Sequence, residues 1–486
     1  METKKRWRNG FIYLFMVLVI LSCQSLSDLL VGEDDVEPTL TVEEIAIEES
    51  PEVTAIEDSI EETAIQTETV IPTSTATPDL VSRFPEYVQE ALNWAVYFED
   101  DFVDPSGLWI TGELLPHYRG EIGDAQYLWQ IDLSEEDREE RIFSNLAPTW
   151  INIRDLSISI NAMIKDGCPD TAYGVAFRHY NHESYVFTIR GDYFRLSTYN
   201  FLYNEETANP IVDWTPSDAI NSGEMNELGI TANGTNITLM INREIVADIR
   251  DETFTSGDVR LVLDLSASGD HATLVVNDFS VKTRASTIYE EVQKGPLFFQ
   301  ESFETSEHEW PIGDSSTEFY AASFELIDNR YQIDTTANNR FIEAVFPKRM
   351  DEIGDFLLKA EIGPVVRTEG SYQGVVFRHG ESGYYWYGVY VDRWGPRVKA
   401  LLYDEGEWIV QNSYSILIHG DQKVSLGVIA LGDHFVLLAG DRIVGEFFDS
   451  SLSAGKPGIG FGLSEAGDTG TFIFSNFVVN YPEEIP

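Results

Sequence analysis

The feature that most constrains the fold of this chain is an internal repeat. The stretch YGVAFRH ends at His179, and the stretch YQGVVFRH ends at His379, 200 residues later. Three further pairs of segments keep nearly the same offset: YFEDDFVDPSGLW with FFQESFETSEHEW, LGITANGTNITLMINREIVADIRDETFTSG with LGVIALGDHFVLLAGDRIVGEFFDSSLSAG, and VNDFSV with SNFVV. Such a constant spacing, held over about 185 residues, is typical of two tandem domains rather than of a short-period solenoid.

Both copies have the sequence pattern of β-strands. Segments such as LSISINAMI, YVFTIRG, NITLMIN and VRLVLDL alternate or run apolar over five to nine residues. Asn-Gly, Gly-Asp and Ser-Gly turns separate them. Each copy is too long for a single immunoglobulin-type sandwich, so we predict an all-β, double-sheet jelly roll for each.

Four of these phrases carry a resemblance to a known family. They are F-x-D-x-F…W near the start of a copy, Y-G-x-x-F-R in its middle, L-G…G…D…G later, and a closing N-D-F-x-V. The pattern resembles the concanavalin A-like, laminin G-like domains of bacterial secreted proteins, including the keto-disaccharide hydrolase type. The resemblance implies two tandem jelly-roll sandwiches. It does not choose a function, because this fold hosts lectins, glycosidases, lyases and adhesion modules.

The first residues predict export from the cytoplasm. A basic stretch is followed by the apolar run Phe11 to Leu21, and then by Ile20-Leu21-Ser22-Cys23. This order is typical of a secretory signal, and its end resembles the lipobox of bacterial lipoproteins. We therefore expect Cys23 to carry lipid and to tie the protein to the outer side of the bacterial cell membrane. The alternative is an uncleaved membrane anchor, which places the chain in the same compartment.

The segment that follows is strongly acidic. Between Gln24 and Ser82 there are 16 acidic residues and no Lys or Arg. Such a segment repels itself and cannot bury enough apolar surface to fold, so we predict an extended, disordered tether. The formal net charge of the whole chain is −50, which argues against nucleic acid as a partner. We predict a signal peptide at 1–22, the tether at 23–82, a first domain at 84–284, a connector at 285–296 and a second domain at 297–482.

The repeated arginine is a candidate ligand-binding residue in each copy. By strand alternation, Val175 and Phe177 share one face, so Arg178 belongs to the opposite, non-core face. The same holds for Arg378 in the second copy. An exposed Arg in a groove can bind sugar hydroxyls or pair with a carboxylate. The alternative is a structural Arg that pairs with an Asp and fixes the sheet.

The second copy adds aromatic residues to that face. Trp386 and Tyr390 alternate with core positions, and Trp394 and Trp408 lie nearby. Aromatic rings bind the C–H faces of sugars, and they also pack in ordinary cores. The first copy has Val, Thr and Arg at the corresponding positions, so it has lost or changed the ligand in this interpretation.

The sequence also bears on two further kinds of site, a metal site and a glycosidase active site. Glu99, Asp101 and Asp278 bracket strands that such folds place side by side, and hard oxygen ligands suit a structural calcium ion. The alternative is a set of solvated edge charges that block strand pairing. A glycosidase needs two carboxylates at close spacing, and the Glu-x-Asp-x-x-Glu string of laminarinase-like relatives is missing from the sequence.

These observations favour a lipid-anchored, extracellular surface protein whose lectin-like domains bind a polysaccharide or a cell-surface protein, without catalysis. The alternatives are a glycan-active hydrolase, of the glycosidase or keto-disaccharide hydrolase type, and a structural envelope protein that binds no small ligand.

Overall fold

The computed structural model describes residues 83–482, except for 104–108, 116–117, 134–140, 147–151, 202–207, 266–269, 306–307, 365, 367, 394, 405–406 and 415–422. The described residues all belong to one compact unit, Ala76–Pro486. Cys23, the predicted signal peptide and the acidic tether lie outside them.

The first copy consists of a short helix and two antiparallel sheets. The helix α1 spans Glu86–Leu92. The strands are β1 (Val96–Asp100), β2 (Gly112–Leu115), β3 (Tyr118–Gly123), β4 (Gln126–Asp132), β5 (Arg141–Leu146), β6 (Leu156–Gly167), β7 (Ala172–Tyr180), β8 (Glu183–Arg190), β9 (Tyr193–Asn200), β10 (Asn209–Pro216), β11 (Asn226–Asn233), β12 (Asn236–Ile241), β13 (Glu244–Arg250), β14 (Asp258–Leu265) and β15 (His271–Thr283). The nine-stranded sheet has the order β13-β12-β11-β6-β15-β4-β3-β2 with β1 beside β15, and the six-stranded sheet has the order β10-β9-β8-β7-β14-β5.

The second copy repeats this arrangement strand for strand. The helix α2 spans Arg284–Val292. The strands are β16 (Leu297–Glu301), β17 (Gly313–Ser316), β18 (Tyr320–Leu326), β19 (Tyr331–Ala337), β20 (Phe341–Val345), β21 (Phe356–Ile362), β22 (Tyr372–His379), β23 (Gly383–Asp392), β24 (Gly395–Asp404), β25 (Glu407–Tyr414), β26 (Val424–Leu431), β27 (His434–Ala439), β28 (Arg442–Phe448), β29 (Lys456–Leu463) and β30 (Thr469–Asn480). The sheet orders are β17-β18-β19-β30-β21-β26-β27-β28, with β16 beside β30, and β20-β29-β22-β23-β24-β25. The predicted all-β sandwich fold is therefore confirmed.

Alternation along the strands builds each hydrophobic core. In β7 and β8 the residues Val175, Phe177, Tyr185 and Phe187 are fully buried between the two sheets of the first copy. Their neighbours along each strand face the other way, because successive side chains of a strand point to opposite faces. The second copy has its own equivalent core. The outer face of each six-stranded sheet is therefore distinct from the core. The side chains on that face determine what it can bind.

The predicted connector is largely helical. The side chain of Thr283 caps α2 by accepting a hydrogen bond from the backbone N–H of Ser286 at 3.0 Å. Ile288 and Val292 of this helix are buried in a cluster with Leu357, Ile429 and other residues of the second copy. The helix α2 therefore packs on the outer face of the nine-stranded sheet of the second copy. Each copy thus begins with a helix.

The two copies also contact each other directly. Ile153 of the first copy is fully buried in the same cluster as α2. Asn152 forms an isolated parallel β-bridge with Gly445, and the backbone N–H of Arg154 donates to Oε1 of Glu446 at 2.6 Å. These contacts bury an apolar side chain beside a paired carboxylate, so they fix one copy against the other.

Candidate functional site

The repeated arginines are buried structural residues, and the prediction that they lie exposed in a groove is wrong. Arg178 and Arg378 are each only 1 % exposed. Arg178 donates from Nη2 to the carbonyl oxygens of Arg154, at 2.7 Å, and Gly234, at 2.8 Å, and from Nη1 to that of Phe254 at 3.1 Å. Arg378 donates to Gly354 and Leu452 in the same manner, with its Nη2 also 3.5 Å from Oδ1 of Asp355.

A backbone feature explains why alternation misplaced these side chains. Arg178 and Arg378 have φ angles of 52° and 49°, in the left-handed region. The strand register shifts at both positions. A left-handed residue in a bulge breaks the two-residue period, so the guanidinium group turns toward the edge of the core. There the guanidinium of Arg378 lies 4.6 Å from the ring centroid of Phe435.

Trp386 does lie on the outer face of its sheet, but it is fully buried, so the predicted exposed platform is wrong for this residue. It belongs to an aromatic cluster with residues on β22, β23, β24 and β25. We define this aromatic cluster as Tyr372, Tyr384, Trp386, Tyr390, Tyr403 and Trp408.

The aromatic cluster is held by ring contacts. The ring centroids of Tyr372 and Trp386 are 5.7 Å apart in an edge-to-face arrangement, and those of Tyr403 and Trp408 are 5.0 Å apart. Tyr390 and Trp408 remain half-buried. Their predicted role in ligand binding stays a prediction. Trp394 lies outside the described residues.

Glycines in the neighbouring strands make room for the buried indole. A Cβ atom added to Gly460 would lie 2.6 Å from Cδ1 of Trp386, and one added to Gly388 would lie 2.5 Å from Cζ2. Real Cβ atoms do not approach other atoms so closely. The indole of Trp386 therefore packs directly over these glycines on the outer face of the second copy.

The acidic trio proposed for calcium is close together at the strand pair β1 and β15. Glu99 pairs with Ser280, two residues after Asp278, and Asp101 follows Asp100, which pairs with Phe279. Burial raises the pKa of Asp278, and the charges of Asp101 and Glu99 raise it further. Among the described residues no group of three or more His, Cys, Asp or Glu side chains is arranged to hold a metal ion. The calcium ion stays a prediction.

The first copy presents a different outer face. Arg190 and Arg195 place their guanidinium carbons 4.3 Å and 4.8 Å from the ring centroid of Trp214. Nη2 of Arg195 lies 3.7 Å from Oδ2 of Asp264. We call these four residues the arginine–tryptophan cluster. It combines fixed hydrogen-bond donors, one carboxylate and an indole on a single sheet face.

Strand pairing explains how four strands contribute to the cluster. Arg195 pairs with Thr188 across β9 and β8, and Thr188 pairs with Gly174 on β7. The next residue on the same face of β7 is Ala172, which pairs with Asp264 on β14. Because Gly174 and Ala172 are small, the long Arg195 side chain can reach across two strands toward Asp264. Trp214 joins from the edge strand β10, whose register shifts between Val212 and Thr215.

The floor of the cluster is polar. Thr188 and Ser197 are fully buried on this face. Within the part of the chain that the structure describes, their hydroxyl oxygens and Nε of Arg195 have no hydrogen-bond partner. Buried polar atoms are normally paired, so this face is not built as an apolar core. It differs in kind from the aromatic cluster of the second copy.

The sequence contained a partial signal for this cluster. Arg190 and Arg195 flank the Gly-Asp turn in TIRGDYFRL, and both fall on non-core positions. Alternation along the strand predicts that Arg190 lies on that face, but the sequence favours the second copy as the binding copy, because it has more aromatic residues there. Trp214 could not be assigned, since the bulge that turns it onto this face leaves no pattern in the sequence.

Each nine-stranded sheet also carries an open groove at corresponding strands. The groove in the second copy measures about 910 Å³ and is lined by hydroxyl and carboxylate side chains, among them Ser323, Asp334 and Thr471. The groove in the first copy measures about 760 Å³ and includes Arg119, Glu121 and Lys165. Asp334 is already engaged with Thr471 Oγ1 at 2.5 Å and Gln332 Nε2 at 2.7 Å. These grooves are therefore secondary candidates.

Comparisons with known proteins give distant structural similarity. No protein family and no curated protein matches the sequence. Among solved structures, the carbohydrate-binding module CBM66 from Bacillus subtilis matches 38% of this chain and 96% of its own length, at 18% identity and a TM-score of 0.24. A non-specific endo-beta-1,3(4)-glucanase from family GH16 covers 38% of this chain and 91% of its own length, at 8% identity and a TM-score of 0.32.

A third solved structure is the catalytic domain of an endo-1,3-beta-glucanase from Thermotoga petrophila. It covers 40% of this chain and 99% of its own length, at 8% identity and a TM-score of 0.28. Similarity at this level does not transfer a ligand or an activity. In the described part of the chain, neither helix is long and apolar enough to cross a membrane.

Proposed function

We propose that this chain is a non-catalytic glycan-binding protein of the cell surface, and that the first copy carries the binding site. The observation that carries this proposal is the arginine–tryptophan cluster. It offers guanidinium donors, the Asp264 acceptor and an indole on one face of a rigid sheet. Binding sites for polar small molecules combine a few fixed polar groups with aromatic walls in this way. The second copy closes the equivalent face with Trp386.

Binding is favoured over glycan hydrolysis by the spacing of carboxylates on this face. Asp258 and Asp264 both lie on β14, six residues apart, which is about 20 Å along a strand. Glycosidases place their two carboxylates about 5–9.5 Å apart. Asp258 is also held by Arg260 through two contacts of 3.0 Å and 3.2 Å. These two groups therefore cannot act as a pair on one glycosidic bond.

The location is proposed from the sequence. We propose that Cys23 is acylated, that residues 1–22 are removed, and that the acidic tether holds the sandwiches away from the bacterial cell membrane. Intact-mass measurement of the purified chain tests this: the expected mass lacks residues 1–22 and includes acyl chains on Cys23. A mass that retains residues 1–22 contradicts it.

The binding proposal is tested with a glycan array probed by the full-length chain in detergent. We expect saccharide ligands whose binding is weakened at least about tenfold by Arg195→Ala, because a hydrogen bond to a charged group contributes roughly 1.5–3 kcal/mol. Lys399→Ala is the matched control, since Lys399 holds the corresponding position in the second copy. Turnover of any bound glycan would instead support the hydrolase alternative. Absence of binding to every glycan would favour a structural envelope protein, or one that binds a surface protein.

A further inference from the structure

The charge balance of the arginine–tryptophan cluster is positive, in a chain that is otherwise strongly acidic. Two guanidinium groups face one carboxylate, that of Asp264. Among the described residues, no carboxylate oxygen lies within 4.0 Å of Arg190. The formal net charge of the chain is −50, so the general field of the protein does not attract anions. A local cationic site in such a chain therefore needs a specific explanation.

The donors of these arginines are oriented but not saturated. The contact between Arg195 and Asp264 is 3.7 Å, which is too long for a hydrogen bond. Nε of Arg195 has no partner in the described residues, although the Arg195 side chain is only 17% exposed. A guanidinium group that packs on an indole uses its flat face. Its N–H donors lie in the guanidinium plane, so stacking on the ring does not use them.

Half-buried guanidinium groups with free donors suit an anion. Arg binds carboxylate, sulfate and phosphate oxygens through two parallel N–H bonds, and such charge-assisted bonds are about twice as strong as neutral ones. A neutral sugar hydroxyl uses one donor and leaves the charge uncompensated. Partial burial also reduces screening by salt. The buried hydroxyls of Thr188 and Ser197 lie beneath, so the floor of the site is polar.

We infer that the arginine–tryptophan cluster binds an acidic saccharide, with Arg190 and Arg195 engaging a carboxylate or sulfate group on the sugar. This inference rests on the proposed function, because the saccharide component comes from it. The two anion types share the same recognition chemistry. An acidic peptide is a different class of partner, and the experiment below separates it.

The test uses one polysaccharide backbone in three forms: neutral dextran, carboxymethyl dextran, which carries carboxylates, and dextran sulfate, which carries sulfates. We expect the full-length chain to bind at least one charged form about tenfold or more tightly than dextran at low salt. The affinity should fall as NaCl is raised, as expected for a charge-assisted contact. Nonspecific attraction is not expected, since both the chain and the polymer are negative. The two charged forms show whether carboxylate or sulfate is preferred.

Variants assign the effect to this cluster. Arg190→Gln and Arg195→Gln should each reduce the binding of the charged dextran about tenfold or more, whereas Arg195→Lys keeps the charge and should lose only part of the affinity. Lys399→Gln, at the matched position of the second copy, should change nothing. Thermal unfolding of each variant checks folding. If Arg195→Gln does not fold, the binding of charged dextran by Arg190→Gln shows whether the site is the arginine–tryptophan cluster.

Each other outcome overturns the inference. If dextran binds as tightly as its charged forms, the protein binds glycans without charge preference, and the proposed function survives alone. If charged dextran binds equally to the Arg190→Gln and Arg195→Gln variants, the anion site lies elsewhere. If polyglutamate competes better than every dextran, the partner is an acidic peptide. If no dextran binds but the glycan array yields ligands, the inference fails and the proposed function stands; if the array also yields none, both fail.

Discussion

Arg378 donates from Nε and Nη2 to the carbonyl oxygen of Gly354, at 3.2 Å and 3.0 Å, and this residue lies 24 positions earlier in the chain. Arg178 makes the same pair of contacts with Arg154, also 24 positions earlier. In each copy, the repeated arginine thus connects the end of a strand of the six-stranded sheet (β7 or β22) to the segment just before a strand of the nine-stranded sheet (β6 or β21). It is a structural element that both copies retain.

Removal of either repeated arginine should therefore destabilise the protein. The variant Arg178→Ala leaves three carbonyl oxygens without this donor, and Arg378→Ala leaves two, at a cost of roughly 1–3 kcal/mol per buried group. We expect a loss of about 3 kcal/mol or more in the free energy of unfolding, measured by urea denaturation. The control is Arg397→Ala, which removes a partly exposed ion pair with Asp392 and should cost less than about 1 kcal/mol. Equal, small effects would show that these arginines are not structural.

Trp386 should behave as a core residue. Replacement of a fully buried Trp by Ala typically costs about 3–5 kcal/mol. We expect Trp386→Ala to lower the unfolding free energy of the second copy by that amount, as followed by urea denaturation. Trp408→Ala, at a half-buried position in the same cluster, should cost clearly less. A stable Trp386→Ala protein that loses glycan binding would restore the exposed-platform hypothesis.

His179 should make stability depend on pH. Burial, with a smaller contribution from the charge of Arg260, lowers the pKa of His179 to about 3. In the unfolded chain the pKa is about 6.5, so below that pH the unfolded state binds a proton that the folded state excludes. The stability contributed by the neutral His179 side chain is therefore fully present above pH 6.5, and it is lost as the pH falls toward 3.

The size of this effect can be measured with a variant. Between pH 6.5 and 5 the loss attributable to His179 is about 2 kcal/mol, at 1.36 kcal/mol per pH unit. In His179→Asn this part of the loss should disappear from urea denaturation curves recorded at pH 7 and pH 5. The exposed neighbour His182 provides the control variant His182→Asn, which should keep the wild-type loss. An unchanged acid response in His179→Asn would contradict the prediction.

Glu446 should couple the two copies. Its Oε1 accepts from the backbone N–H of Arg154 at 2.6 Å, and its Oε2 lies 2.5 Å from Nε2 of His434. The variant Glu446→Ala leaves both buried partners unsatisfied, so we expect a cost of about 1–3 kcal/mol. Calorimetry should show the unfolding transitions of the two copies moving apart. Glu465→Ala, at an exposed position of the second copy, should have no such effect.

The sequence was sufficient to predict the class of fold and most of the core. Alternation correctly assigned Phe177 and Tyr185 to the interior, because it depends only on the two-residue period of a strand. The same rule failed at Arg178, where a left-handed backbone angle interrupts the period. Such an angle is a property of the bulge, and a non-glycine residue gives no warning of it.

The candidate site was harder to predict, for a different reason. Alternation distinguishes core from non-core faces, but it does not show whether a second layer covers the non-core face. Trp386 faces outward and is still fully buried, since neighbouring aromatic rings enclose it. The arginine–tryptophan cluster requires residues from four strands and a register shift in β10. Contacts of this kind are set by tertiary structure.

The contact between the copies joins different surfaces. The first copy contributes Ile153 and Asn152, whereas the second contributes the outer face of its nine-stranded sheet near β28. Such an interface is heterologous, so it gives the tandem array a direction and contains no symmetry that would close it. The corresponding face of the first copy borders a cavity of about 290 Å³ beside α1, lined by Phe84, Leu92 and Met240. Polarity of this kind means that the two ends of the array are chemically distinct, and that each can evolve a different contact without disturbing the other.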